Sequence, residues 1–480
     1  MSLEYISLAE RIIDEGLTLG AKWVEARIEN TSFEYIHYLQ GRVKEVSIDR
    51  HTGIGIRVLT SEGLGFACCS GFKLDDALKA LNNALKIAKT SRNKVMIDLS
   101  NSIELYIELR NYRLHPIDLS FEDKIKTLKE VYKEASNIEE ACRRFKFADR
   151  QGKVSSISVR YGSYYGEILI ANSSGTKVLF KPMLSGLLIN VITADSGKRG
   201  DGYSVIGTSR GIDKIMDYDI ARDTAIEALG KALEKLNATH PKAGFSKVIT
   251  SPSISGVFAH ESFGHMSEGD FAVIKATPLV DKIGERLGSE YATIIDSGVV
   301  EYEDGFYYPV DSEGIPTTKV VLLNRGVFKG FMHDRETAYE YKVRSTGNGR
   351  AQDYSKQPIV RMRNTYFEAG DWRYEEMVRE ARNCILVDDE RGGEASLDGT
   401  FTFTASRGYI IENGEIKKPI RDIVLTGNIL EMLKYITGAS REVKIYAEPF
   451  GACGKSGQSV YVGLGGPYLL VEKLRIGGRV

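Results

Sequence analysis

The 480-residue chain has little of what would tie it to nucleic acid, to a bilayer or to an oxidising compartment. Its formal net charge is −1, so it offers no basic excess for phosphate backbones or anionic lipid. No apolar run approaches the ~20 residues that span a membrane. The opening MSLEYISLAERIIDEG carries early acids and no basic segment, unlike a secretory signal; the expected location is the cytoplasm, with no nucleic-acid and no membrane partner. The five cysteines, Cys68, Cys69, Cys142, Cys384 and Cys453, are odd in number and scattered, which implies neither a disulfide framework nor a zinc ribbon. Glutamine is scarce beside abundant Glu, Lys, Arg, Ile and Tyr, a thermophile-like balance. There is no low-complexity segment. What remains is ordinary: 42% hydrophobic and 27% charged residues, a globular composition with enough chain for a sizeable core and for two to four domains at roughly 150 residues each.

Periodicity divides the chain near residue 241. Residues 3–19 place Leu3, Ile6, Ile12, Ile13 and Leu17 at helical spacing. WVEARIE, FEYIHYL, VKEVSID, GIGIRVL and GLGFACC then alternate like an antiparallel meander, and LDDALKALNNALKIAK is a helix with Asp75 and Asp76 in its first turn. The order recurs: a helix over 121–143, strands at VSSISVRYG, YYGEILIAN, TKVLFKP and GLLINVITA, and a closing helix DIARDTAIEALGKALEKL. The reading is an α+β protein. Residues 1–241 form an N-terminal half of antiparallel sheets with helices, drawn as two similar units, 1–100 and 110–241; the competing explanation is that amphipathic Ala/Leu helices all look alike. NATHPKAGF reads as a linker. Residues 242–480 form a β-rich domain holding the metal site, with hairpins at TKVVLLNRGVFKGFM and at GYIIENGEIKKPI, the latter turning on Asn413-Gly414.

The chemistry gathers at AHESFGHMSEGD, residues 259–270. Histidine is rare here, seven in all, yet His260 and His265 flank Glu261 in an H-E-x-x-x-H arrangement. The familiar zinc-protease pattern is H-E-x-x-H, with histidines four apart on one helical face. Five apart, they diverge by roughly 140° around a regular α-helix. A π-type turn would bring them together, and Gly264 makes such a distortion easy; otherwise the helix ends near Phe263. Both versions predict irregular backbone over 262–266. A catalytic zinc needs a third protein ligand, for which His115, His240, His333 and the cysteines are open, Cys453 standing out in the glycine-rich loop EPFGACGKSGQS. Gly454-Lys455-Ser456 in that loop imitates the end of a P-loop, but Pro449 occupies the position of its first glycine and no nucleotide-binding βαβ unit follows.

Over nearly its whole length the chain resembles the TldD/PmbA family of metalloproteases. The resemblance runs through TGIGIRV and GLGFA within 52–67, GVFAHESFGHMSEGD at 256–270, STGNGRAQDY and PIVRMRNTY within 345–366, RDIVLTGNI at 421–429 and ACGKSGQSVYVGLGGP at 452–467. It implies one Zn2+ per chain bound by His260, His265 and Cys453, with Glu261 as general base. PmbA-type members typically lack the histidine motif, so the intact motif marks this chain as the catalytic, TldD type. The family also implies peptide substrates, unfolded or small, and a homodimer or a heterodimer with a PmbA-type paralogue. Glu268 and Asp270, just past the motif, are expected to orient the histidines, the alternative being solvated turn acids. Arg350, Arg361 and Asn364 are expected to contact substrate backbone. Two other readings stay open: a non-catalytic subunit that positions peptides for a partner, and a metal-dependent hydrolase of non-peptide amides.

Overall fold

The computed structural model describes residues 2–91, 96–99, 104–107, 114–302 and 304–478. Positions 100 and 110, where the two N-terminal units were divided, lie outside the described residues. The fold is mixed α+β, with antiparallel pairing through the N-terminal half and a β-rich C-terminal region.

The N-terminal half is built on the strand Trp23–Leu39. It pairs antiparallel along its length with Arg42–Leu59 on one side and with Lys153–Asn172 on the other, so both stretches of alternating sequence enter one eight-stranded sheet. Side chains alternate across a strand, and here the even positions turn to the helices. Val24, Ala26 and Ile28 pack beneath helices Ser2–Thr18 and Leu74–Thr90. Further along the same face, Ile36 and Tyr38 pack with residues of Phe121–Glu134 and Tyr218–Lys235. In Leu74–Thr90 the buried residues are Ala77, Ala80, Leu81, Ala84, Leu85 and Ala88, the i, i+3, i+4 stripe of an amphipathic helix. Odd positions of Trp23–Leu39 are left to the opposite face.

In the C-terminal half the strands Cys384–Ala395, Thr400–Glu412, Glu415–Asn428 and Gly463–Gly478 pair in sequence. Gly244–Thr250 joins both ends, pairing with Cys384–Ala395 and with Gly463–Gly478, so these five strands close on themselves. Both expected hairpins form on two-residue turns in the left-handed region: Arg325-Gly326 at φ 46° and 80°, and Asn413-Gly414 at 54° and 76°, as the right-handed twist of paired strands favours. Phe401 and Phe403 stack in the core, and Phe258 meets both edge-on at 5.0 and 5.5 Å. Full burial of a phenylalanine contributes about 1.5–3 kcal/mol. Phe258 therefore pins the start of the histidine segment to the strands.

Candidate metal centre

Pro252 opens the short helix Pro252–Val257 at its first turn, where a missing N–H costs nothing. The helix then widens. Phe258–Gly264 is a π-helix, and His265–Ser267 tightens into a 3-10 turn. The His265 N–H donates to the His260 carbonyl, an i→i+5 bond that sets His265 one wide turn above His260. Their rings lie edge to face with centroids 5.4 Å apart. The irregular backbone expected from the five-residue spacing is thus present. Gly264 has a more specific reason than ease of distortion: its φ is an ordinary −61°, but an added Cβ would lie 2.1 Å from Met362 Sδ.

Cys453 comes to the same place from the far end of the chain. Cys453–Lys455 and Gln458–Val460 pair as a small hairpin over Ser456-Gly457, both at positive φ, so the P-loop look-alike is a β-turn. The Cys453 Sγ lies 3.4 Å from His265 Nε2, and ligand atoms of His260, His265 and Cys453 all fall within 4.8 Å of one another. Among the described residues this is the one group of three or more His, Cys, Asp or Glu arranged to hold an ion. The other third-ligand candidates lie elsewhere. His333 bonds Thr337 at 3.2 Å, and burial pushes its imidazole down to about 4; His115 caps the turn Pro116–Asp118.

Does the site fit a metal? His260 is fully buried, and neither ring nitrogen has a hydrogen-bond partner. A buried polar group left unsatisfied costs about 1–3 kcal/mol. The open nitrogen beside a thiol and a second imidazole is the donor set of an N/S-liganded divalent ion. Burial pushes the Cys453 thiol up, but the charge of His260 and the charge and hydrogen bond of His265 outweigh it and bring the thiol down to about 5. Burial likewise opposes the His265 imidazolium, while Glu268 and Cys453 raise it well above its ordinary value. Glu261 leans across the group, its oxygens 4.0 Å from His260 Nε2 and 3.8 Å from His265 Nε2. At 37% side-chain exposure it is the open side of an otherwise buried cluster.

The surrounding acids divide. Glu268 is fully buried and accepts from His265 Nδ1 at 2.9 Å, which fixes the ring and turns Nε2 toward Cys453, as outer-shell carboxylates do. Asp270 bonds Lys455 at 2.7 Å rather than a histidine. Lys455 is the residue the sequence reading passed over as part of the P-loop decoy. Only 5% exposed, it reaches Glu268 at 3.1 Å, Asp270 and the Val360 carbonyl, and lies 4.3 Å from the Phe271 ring centroid. Its position two residues after Cys453 in a strand, hence on the same face, was the available signal. We expect Lys455→Met to weaken metal affinity about 10- to 100-fold, the usual cost of disturbing a ligand's supporting shell, by leaving Glu268 and Asp270 without their cation. Competition against a chromogenic chelator checks this; an unchanged affinity would separate Lys455 from the centre.

Arg350, Arg361 and Asn364 are buried and bonded to backbone, which gives the substrate-contact expectation no support. Arg361 donates to the Cys453 carbonyl and, at 3.3 Å, to that of Gln458, so it clamps the cysteine hairpin. Arg350 donates to the carbonyls of Met362 and Tyr461 and stacks 4.4 Å from the Tyr308 ring centroid. Asn364 donates to the carbonyls of Ser297 and Phe306 and accepts from Phe306 N–H.

Comparison with known proteins matches this arrangement to one family. Residues 24–88 match the PmbA/TldA metallopeptidase domain 1, residues 114–236 the central domain and residues 243–478 the C-terminal domain. A metalloprotease of Methanocaldococcus jannaschii is 32% identical over 95% of this chain and 96% of its own. A zinc metalloprotease TldD homolog of Saccharolobus solfataricus is 28% identical over 99% and 100%. Among solved structures, TldE from Thermococcus kodakarensis superposes with a TM-score of 0.78 at 22% identity, over 98% of this chain and 100% of that one, and a putative modulator of a DNA gyrase from Thermotoga maritima with 0.79 at 22%, over 98% and 100%; these two speak to the fold alone. With matched domains spanning most of its length and a His/His/Cys cluster at its centre, the chain belongs to the PmbA/TldD family of metallopeptidases.

Proposed function

We propose that this metallopeptidase hydrolyses unfolded or small peptides at a single zinc site formed by His260, His265 and Cys453, with Glu261 as general base. The observation that carries the reading is the convergence of three ligand atoms on a point where both His260 nitrogens lack partners. When bound, the ion supplies a Lewis acid that polarises the scissile carbonyl and acidifies water. Glu261, the exposed edge of the cluster, takes the proton from the attacking water and delivers it to the leaving amine. Glu268 holds His265 by its Nδ1–H, and Lys455 balances the Glu268 charge. The Cys453 thiolate makes the site less electrophilic than three imidazoles would. The protein acts in the cytoplasm, as a homodimer or paired with a PmbA-type paralogue. Among the described residues no helix is long and apolar enough to cross a membrane.

The test is cleavage of a mixed peptide library followed by mass spectrometry. We expect products from the untreated protein, none after chelation, and recovery when zinc is restored. No cleavage with zinc supplied, by the protein alone or with a paralogue, would favour a non-catalytic peptide-binding role.

A further inference from the structure

The sheet face opposite the N-terminal helices meets the chain segment that precedes Cys453. Gly162, Gly186 and Gly207 stand in register across three strands, and the segment Ala447–Phe450, three residues short of Cys453, lies in the trough they leave. An added Cβ would lie 2.9 Å from the Phe450 ring at Gly162, 2.8 Å from Pro449 Cδ at Gly186 and 1.8 Å from the Ala447 carbonyl at Gly207. Phe33 reaches the same space, 3.2 Å from that position on Gly162. Phe33, Tyr35 and His37 share this face, with successive ring centroids 6.4 Å apart. Each is half-buried.

Arg160 completes the row. It sits opposite His37 and two residues from Gly162, about 7 Å along the strand, on the same face. Its Nε is buried without a hydrogen-bond partner, and among the described residues no acid lies within ion-pairing distance of its guanidinium. Buried arginines elsewhere are engaged, Arg57 by Glu25 and Glu313, Arg363 by Asp296, and Arg350 and Arg361 by backbone carbonyls. His37 bonds Ser158 at 2.9 Å, and burial followed by the Arg160 charge pushes its imidazole down, so the neighbouring ring adds no second charge. A half-buried guanidinium without a counter-ion, at the end of an aromatic row that runs toward the cysteine loop, is matched by a carboxylate.

We propose that Arg160 seats a carboxylate of the bound peptide, with Phe33, Tyr35 and His37 lining the path between that anchor and the metal centre. This rests on the peptidase reading and adds an anionic preference to it. The carboxylate comes either from the peptide's C-terminus or from an acidic side chain.

The test is binding of fluorescein-labelled hexapeptides to zinc-loaded Glu261→Gln protein, so that no peptide is consumed, alone and combined with Arg160→Gln or Arg160→Lys. Three peptides separate the sources: a free C-terminal acid, its amide, and an amide ending in glutamate. We expect the free acid to bind about 10- to 100-fold more tightly than the plain amide, the range of a charge-assisted hydrogen bond. Arg160→Gln should erase the difference and Arg160→Lys keep part of it. Glutamyl-amide binding equal to the free acid would assign the site to acidic side chains; binding equal to the plain amide would assign it to chain termini. Equal affinity for all three peptides, or a preference that survives Arg160→Gln, overturns the proposal. So does a change of oligomeric state in Arg160→Gln with peptide binding unaltered, which would give this face to a second copy of the chain. Loss of the peptidase reading is separately visible, as absence of library cleavage by wild-type protein.

Discussion

Glu261→Gln lowers peptide turnover by about 10²- to 10⁴-fold, the range of general acid–base catalysis, and leaves metal content at the wild-type level. The substitution keeps the shape of the side chain and removes its ability to take a proton. Glu261 is placed for that task and poorly placed for coordination: its oxygens are 3.8–4.0 Å from the histidine nitrogens, while the three ligand atoms converge without it. The supports of the site, Glu268, Lys455 and Arg361, do not depend on it. Rates on one peptide, measured beside metal analysis of the same preparation, check both halves. Turnover within a few-fold of wild type would remove the base from Glu261. Loss of metal in this variant would make it a ligand.

The motif spacing was legible because it conflicted with regular geometry. Two histidines five apart cannot share an ion on an α-helix, so the sequence demanded a distortion, and Phe258–Gly264 supplies a π-turn. The alternating and helical periods of the N-terminal half were legible too, since burial of one face imposes them locally. Long-range pairing leaves no such mark. Nothing in WVEARIENTSFEYIHYL says that it lies beside Lys153–Asn172 and joins both alternating stretches in one sheet, nor that Gly244–Thr250 closes the C-terminal strands. Polar side chains were the least legible. Arg361 and Asn364 were expected to contact substrate backbone, yet both are buried and donate to carbonyls of their own chain. Lys455 was hidden by an accidental likeness to a phosphate loop, although a hairpin places it on the face of Cys453.

Cys453→Ala should weaken zinc binding by about 10²- to 10³-fold. Structural zinc sites bind with roughly 10–16 kcal/mol at neutral pH; shared among four ligands that is roughly 2.5–4 kcal/mol each, about two to three powers of ten in Kd. The thiol also sets the protonation of its neighbours. In the metal-free protein the thiolate helps raise both imidazoles above their ordinary values, so protons compete with the ion at the two histidines. Because these folded-state values are raised, the competition is complete at low pH and relaxes as pH rises through them; zinc affinity of the wild type should climb across neutrality. The sulfur itself, brought down to about 5, needs no deprotonation there. Without Cys453 the histidines lose the thiolate's pull, so the remaining weak binding should reach its plateau at lower pH than in wild type. Chelator competition from pH 6 to 9 on both proteins measures the two effects. Wild-type affinity in Cys453→Ala, with an unchanged pH profile, would remove the cysteine from the ligand set and leave the unpartnered nitrogens of His260 to be explained by another donor.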